Sequence, residues 1–377
     1  MNRLLSITIT SILVLFTLCS CGGSSTNSFS DSGDTLSLSY AENIQIINYG
    51  EYSVVNLSDP WNKGKTLHTY ILVPESKQLP DNLPEGTVVR TPLKRAVVAT
   101  SVHCGLIIDL QKGSSIKGVC DLKYINLPWI QQQCAKGNIA ECGSGLAPTL
   151  EKIIDIDADA ILISPFQNNG GYGRLEELKK PIIEMADYME TSALGRAEWM
   201  KFYGMLFGAE EQANAIFKSV ETDYNNLKAL ALTSKTRKSI VIDKKSGSVW
   251  YVPGGHSTIG RIIIDANADY PFADNDNSGS IPLPFESVFE KAGDCDLWML
   301  RYGSPQPATL KSLVSEYQGY SQFKAFKEGE VYGCNTETST FYEDTPFHPD
   351  MLLRDFIIIA HPDLKGLGET KYFKKLK

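Results

Sequence analysis

Pro148–Thr149–Leu150–Glu151–Lys152–Ile153–Ile154–Asp155–Ile156–Asp157–Ala158–Asp159–Ala160–Ile161–Leu162–Ile163 is the stretch whose reading decides the fold. Pro148 and Thr149 open a short helix, and Glu151 falls in its first turn, where the positive end of the helix dipole favours an anion. The helix runs into a buried apolar strand. The pattern returns at Pro284–Phe285–Glu286–Ser287–Val288–Phe289–Glu290–Lys291–Ala292–Gly293–Asp294, which leads into Cys295–Asp296–Leu297–Trp298–Met299–Leu300. Laid Glu on Glu without a gap, Glu151 falls on Glu286, Ile153 on Val288, Ile154 on Phe289, Asp159 on Asp294 and Leu162 on Leu297. Two similar helix-to-strand units far apart in one chain predict two similar lobes.

The chain has 377 residues, 42% of them hydrophobic and 21% charged, enough for two globular domains and too polar for a protein of many membrane spans. A net charge of −8 without any long Lys/Arg run argues against nucleic acid as a partner. Residues 1–20 read as a signal segment. Arg3 gives the positive start, Leu4 to Leu18 the apolar run, and Leu18–Cys19–Ser20–Cys21 resembles a bacterial lipobox with Cys21 as the acylated residue. The apolar run is shorter than the ~20 residues a spanning helix needs. An ordinary cleaved signal is the alternative. Residues 21–40, rich in Gly, Ser, Asn and Asp at first, read as a flexible tether to the membrane.

Without Cys19 and Cys21, six of the eight cysteines remain: Cys104, Cys120, Cys134, Cys142, Cys295 and Cys334. An even set in an exported protein permits disulfides, and Cys134 with Cys142 could close a small loop, but sequence does not assign the pairing. With no Cys-x-x-Cys and no His at ligand spacing, no metal site is expected.

From Leu36 to Thr91 the chain is rich in β-branched and aromatic residues and reads as a small β extension. Strands then alternate with helices, as at Ala96–Ala99 and Ile116–Val119, which predicts parallel sheets covered by helices. Residues 41–190 form the expected first lobe with its β extension. Residues 191–208, with Ser192 as N-cap, Gly208 as stop and apolar residues on more than one face, read as a rigid connecting helix, and 209–377 as the second lobe. The predicted fold class is α/β: two Rossmann-like lobes with parallel-rich sheets joined by one long interdomain helix.

Taken together, the signal, the twin Glu units, the connector and the terminal Asp355–Phe356–Ile357–Ile358–Ile359–Ala360–His361–Pro362 resemble the periplasmic binding proteins of ABC importers for iron-siderophores, haem and cobalamin. The resemblance covers about Arg95 to Leu364. It implies a non-catalytic, lipid-anchored, periplasmic monomer without resident cofactor, which holds a bulky metal chelate between its lobes. It also implies delivery to an importer permease and its ATPase, with Glu151 and Glu286 docking into Arg-containing permease pockets.

In open α/β lobes ligands sit beyond the carboxyl ends of the strands. The loops there carry Trp129, Phe166, Tyr172, Trp250, Tyr251, Tyr302, Phe341 and Tyr342, suited to a planar or bulky amphipathic ligand. His256, after Gly254–Gly255, could face a metal centre, and Arg301 is the candidate for an anionic group. A modestly basic, aromatic cleft favours a corrinoid or haem over a highly charged siderophore. A chelatase-like tetrapyrrole enzyme and a surface scavenging lipoprotein without an importer are the competing readings. No Gly-x-Ser-x-Gly elbow, phosphate-binding loop or His-Glu-x-x-His helix supports catalysis.

Overall fold

The computed structural model describes residues 33–167 and 170–377. The signal segment and the lipidation candidate Cys21 lie outside the described residues.

The chain opens with a five-stranded sheet in sequence order, β1 (Asp34–Thr35), β2 (Ile44–Asn48), β3 (Ser53–Ser58), β4 (Thr66–Pro74) and β5 (Thr87–Thr91), antiparallel except for the β4–β5 pair. Its strands alternate as a two-sided sheet must. Tyr70 and Leu72 join the main core, while Ile71 and Val73 form a separate small core with Val54 under Tyr49, Tyr52, Leu83 and Val88. The small β extension thus carries core on both faces, the larger part shared with the rest of the molecule.

The first lobe is built on β6 (Ala96–Val98), β7 (Ile116–Val119), β8 (Ala140–Glu141), β11 (Ala160–Ile163) and β12 (Ile182–Glu184), with a small hairpin of β9 (Gly143–Ser144) and β10 (Ala147–Pro148). The sheet is wholly parallel in the order β12-β11-β6-β7-β8. Every residue of β6 and β11 is buried, as a parallel sheet covered on both faces requires. Helices α1 (Ser101–Asp109), α2 (Pro128–Ala135), α3 (Leu150–Ile156) and α4 (Arg174–Glu177) complete it. The Tyr70 hydroxyl donates to the Ile182 carbonyl at 3.0 Å and accepts from Glu184 N–H at 2.7 Å. One side chain of the extension so replaces a neighbouring strand and closes the β12 edge.

The stretch 191–208, expected as one connecting helix, is two short helices, α5 (Ala193–Glu198) and α6 (Met200–Phe207), with the break at Trp199. Ser192 caps the first by accepting from Gly195 N–H, and Gly208 ends the second with φ 62°. The long helix is the next one, α7 (Glu210–Ala231), 22 residues. It buries the single stripe Ala213, Phe217, Val220 and Tyr224 and packs against α6 on one side and the C-terminal helix on the other. An all-round apolar pattern marked a segment buried by its neighbours, whereas the bridging rod, wet along one face, is amphipathic.

Preceding that rod, Ser39–Asn43 forms a strap. Glu198 accepts from the backbone N–H groups of Ser39, Tyr40 and Ala41, and Glu190 from those of Glu42 and Asn43, at 2.8–3.0 Å. Both carboxylates are buried, at 1% and 0% exposure, so the amides and the Lys201 and Trp199 donors offset their desolvation. Tyr40 also reaches Glu221 of α7 through its hydroxyl.

The second lobe has β13 (Ile240–Ile242), β17 (Leu297–Tyr302) and β18 (Val331–Asn335) in parallel, edged by antiparallel β19 (Lys374–Lys375). The aromatic strand Trp250–Tyr251–Val252 lies not in this sheet but in an antiparallel one, β14 (Lys245–Ser246), β15 (Val249–Pro253) and β16 (Ser280–Leu283). Its helices are α8 (Thr258–Asp265), α9 (Phe285–Ala292), α10 (Leu310–Glu316), α11 (Lys324–Lys327), α12 (Phe341–Asp344) and α13 (Pro349–Ala360).

The internal repeat is visible in the topology: β6, β11 and β12 match β13, β17 and β18 in order and direction. The gapless alignment holds across the helices and slips by two residues at the strands. Asp159, just before β11, accepts from the N–H groups of Lys94 and Arg95. Its structural counterpart is Asp296, just before β17, which accepts from Ser239 N–H and hydroxyl ahead of β13. Asp294 does not make this contact because α9 and Gly293 insert the extra length.

Candidate functional site

The carboxyl ends of the two parallel sheets meet the connector at a small cavity of about 100 Å³. Val102 of α1 borders it from the first lobe, Thr258, Arg301, Phe341 and Tyr342 from the second, and Arg196 from α5. Arg301, next to last in β17, lies beside Asp243, which directly follows the adjacent β13. Nε and Nη2 of the guanidinium donate to the two Asp243 oxygens at 2.8 and 2.5 Å. Burial alone would lower the Arg301 pKa, but the Asp243 charge and hydrogen bonds outweigh it and raise it. The guanidinium carbon lies 5.7 Å from the centre of the Phe341 ring, within cation–π range.

Arg196 is paired in the same way. Its Nε donates to Asp187 Oδ2 at 2.9 Å, and Asp187, fully buried, also accepts from His103 Nε2 at 2.8 Å and from the Tyr203 hydroxyl. Nδ1 of His103 faces the Thr100 hydroxyl. Burial by itself would raise the Asp187 carboxyl, yet His103 and Arg196 hold it below the usual range.

Of the residues expected at a ligand, Arg301, Phe341 and Tyr342 line this cavity. Trp250 does not: it is fully buried among Phe285, Trp298, Tyr320 and Phe323, and its indole N–H donates to the Ile242 carbonyl. Alternation along β15 sends Trp250 into the core and leaves Tyr251 half exposed on the antiparallel sheet. Trp129 packs over Gly113, ahead of the amino end of β7, rather than at the cavity. Tyr172 turns to Glu184, its hydroxyl 2.7 Å from Oε1, in a groove shared with His68 of the β extension. Tyr302 alternates with Arg301, so its ring covers Gly333 and its hydroxyl accepts from Ala308 N–H. Phe166 is exposed after β11. His256 stands half buried, 3.6 Å from Asp276, where Gly254 and Gly255 let two loops approach too closely for any Cβ.

Sequence reasoning missed Arg196, Asp187 and Asp243. The available signal was a charged pair, Arg196 and Glu198, inside an otherwise apolar helical stretch.

The lobes also touch directly. A Cβ on Gly105 of α1 would come within 2.5 Å of the Glu343 carbonyl of α12. Asn126 N–H donates to Glu343 Oε1, and its side-chain amide to the carbonyls of Thr336 and Ser339. His348 Nε2 lies 3.0 Å from Asp109 across the same seam. Burial would lower the His348 pKa, but the hydrogen bond and charge of Asp109, then Asp350 and Asp344, raise it overall. A raised folded-state value means that the pair stabilises fully below the unfolded value of 6.5 and is lost as pH climbs through the higher folded one. Asp109 is 41% exposed, so water screens the pair and its worth stays under about 1 kcal/mol. The thermal midpoint of His348→Gln should therefore trail the parent at about pH 6 and match it at about pH 9; equal gaps at both would remove the pair from the seam's stability.

Glu151 and Glu286 are both exposed in the first turns of α3 and α9. Each helix runs back from the carboxyl edge of its sheet, so each Glu stands at the level of that edge. The six cysteines are free. Cys142 belongs to the small cluster on one face of the first-lobe sheet and Cys134 packs toward the main core on the other, which rules out the small loop. Burial pushes the Cys142 thiol up to about 11.

The sequence profile of the periplasmic binding protein family matches residues 98–338. An uncharacterized lipoprotein of Methanocaldococcus jannaschii is 28% identical over 372 residues, 92% of this chain and 87% of that protein. Among solved structures, a periplasmic binding protein from Veillonella parvula superposes with a TM-score of 0.61 at 13% identity, covering 84% of this chain and all of that one. A periplasmic heme binding protein from Pseudomonas aeruginosa gives 0.59 at 14% identity, covering 75% and 98%.

Proposed function

We propose, from the premise that the chain belongs to the periplasmic binding protein family, that it captures a bulky metal chelate between its lobes and hands it to an ABC importer permease. The chelate is a corrinoid, haem or ferric siderophore, and a lipid on Cys21 holds the protein outside the cell membrane. The observation that carries this reading is the cavity formed jointly by both lobes and the connector at the carboxyl ends of the strands. Its polar groups are paired with one another rather than set as a nucleophile beside a base, which suits a carrier better than an enzyme.

At about 100 Å³ the cavity is smaller than the roughly 300–1,000 Å³ of drug-sized ligand sites, so a chelate is admitted by parting the seam at α1 and α12. Spectroscopic titration of the purified protein with cyanocobalamin, haemin and ferric siderophores tests the proposal. A stoichiometric complex of micromolar or tighter affinity with one of them is the expected result. No complex with any, or chemical turnover of one, overturns it.

A further inference from the structure

The positive features around the interlobe cavity are already answered from within the chain. The Arg301 guanidinium is held by both oxygens of Asp243, and Arg196 by Asp187. The start of α8 is capped by the Ser257 hydroxyl, which accepts from Gly260 N–H. At the start of α1 stands the Glu343 carboxylate, 2% exposed, hydrogen-bonded to Ser101 and Asn126. One Glu343 oxygen, Oε2, is buried without a partner among the described residues.

We infer that the cavity selects a chelate of low net charge, and that Asp243 and Asp187 set this preference by neutralising the two arginines. The inference rests on the chelate-carrier reading and narrows its substrate class. A multiply charged anion in this site would have to compete with Asp243 for Arg301 and with Asp187 for Arg196, and dislodging either carboxylate would leave a largely buried charge unpaired. The pairing leaves each arginine as an orienting dipole, able to donate its remaining N–H groups to amide or carbonyl oxygens at the rim of a neutral ligand. Phe341 and Tyr342 then supply apolar contact.

Asp243 is the position to change. Its φ of 62° is one that Asn tolerates, and its backbone carbonyl, the acceptor of the Trp298 indole N–H, is retained in Asp243→Asn. Equilibrium dialysis would compare cyanocobalamin, a neutral ferric hydroxamate and a trianionic ferric tris-catecholate on the parent, on D243N and on D243N/R301Q. The expected parent prefers a ligand of low charge by tenfold or more. D243N shifts the ratio toward the tris-catecholate by about tenfold, and R301Q in that background cancels the shift. Tightest parent binding to the tris-catecholate, or an unshifted ratio in D243N, overturns the inference while leaving a chelate carrier. Binding of none of the three, with haemin also unbound in the titration above, overturns the carrier reading, and the inference with it.

Discussion

Replacing Glu151 and Glu286 together by Ala should lower ligand uptake by intact cells by at least about a hundredfold, with affinity of the purified protein within about twofold of the parent. Both carboxylates are exposed in the first turns of matched helices, and neither lines the interlobe cavity. Charge-assisted pairs with arginines of a permease would be shorter and stronger than neutral hydrogen bonds, and one pair per lobe would make docking depend on both lobes at once. Each single substitution should lose part of the uptake, and their combination more than the sum of the two. The competing account, in which each Glu merely complements its helix dipole, gives under about 1 kcal/mol of stability per site and unchanged uptake. Unchanged uptake in the double variant, at equal protein level, would end the docking proposal.

Trp250→Ala should cost about 3–5 kcal/mol of stability. Trp250 is in ring contact with Phe285, Trp298, Tyr320 and Phe323, so truncation opens a cavity that four packed aromatics cannot refill. It also removes the indole donor from the Ile242 carbonyl, which ends β13. The neighbouring Tyr251→Ala, on the exposed face of the same strand, should stay below about 1 kcal/mol. Urea denaturation of both variants decides this. A Trp250→Ala protein as stable as Tyr251→Ala would mean that the second lobe tolerates a large void beside β13.

These two tests separate what was legible in the sequence from what was not. The α3–β11 and α9–β17 units could be read because a first-turn Glu, an apolar helix stripe and a buried strand are local patterns. Their slip of two residues could not, because it depends on which aspartate reaches the neighbouring strand: Asp159 reaches Lys94 and Arg95 across 64 to 65 positions, Asp296 reaches Ser239 across 57. The site divides in the same way. Arg301 was recognisable from its place at the end of an apolar run, whereas its partner Asp243 follows another strand. Trp250 and Tyr251 differ only by which face of β15 they take, and periodicity alone does not say which face is covered. Tyr172 was drawn from the cleft by Glu184, itself tied to His68 of an extension that the resemblance did not include.

The strap at Ser39–Asn43 has a mechanical consequence. Five successive amides are hitched to Glu190 and Glu198, beside α7, and to neither parallel sheet. The chain enters through β1, paired with β2 of the extension, and then through this strap, so under the lipid anchor proposed above a pull from the membrane would be borne by the extension, Glu190 and Glu198 before it reached the seam between α1 and α12. Held there, an anchor of that kind would fix where the molecule sits while keeping the load off the seam itself.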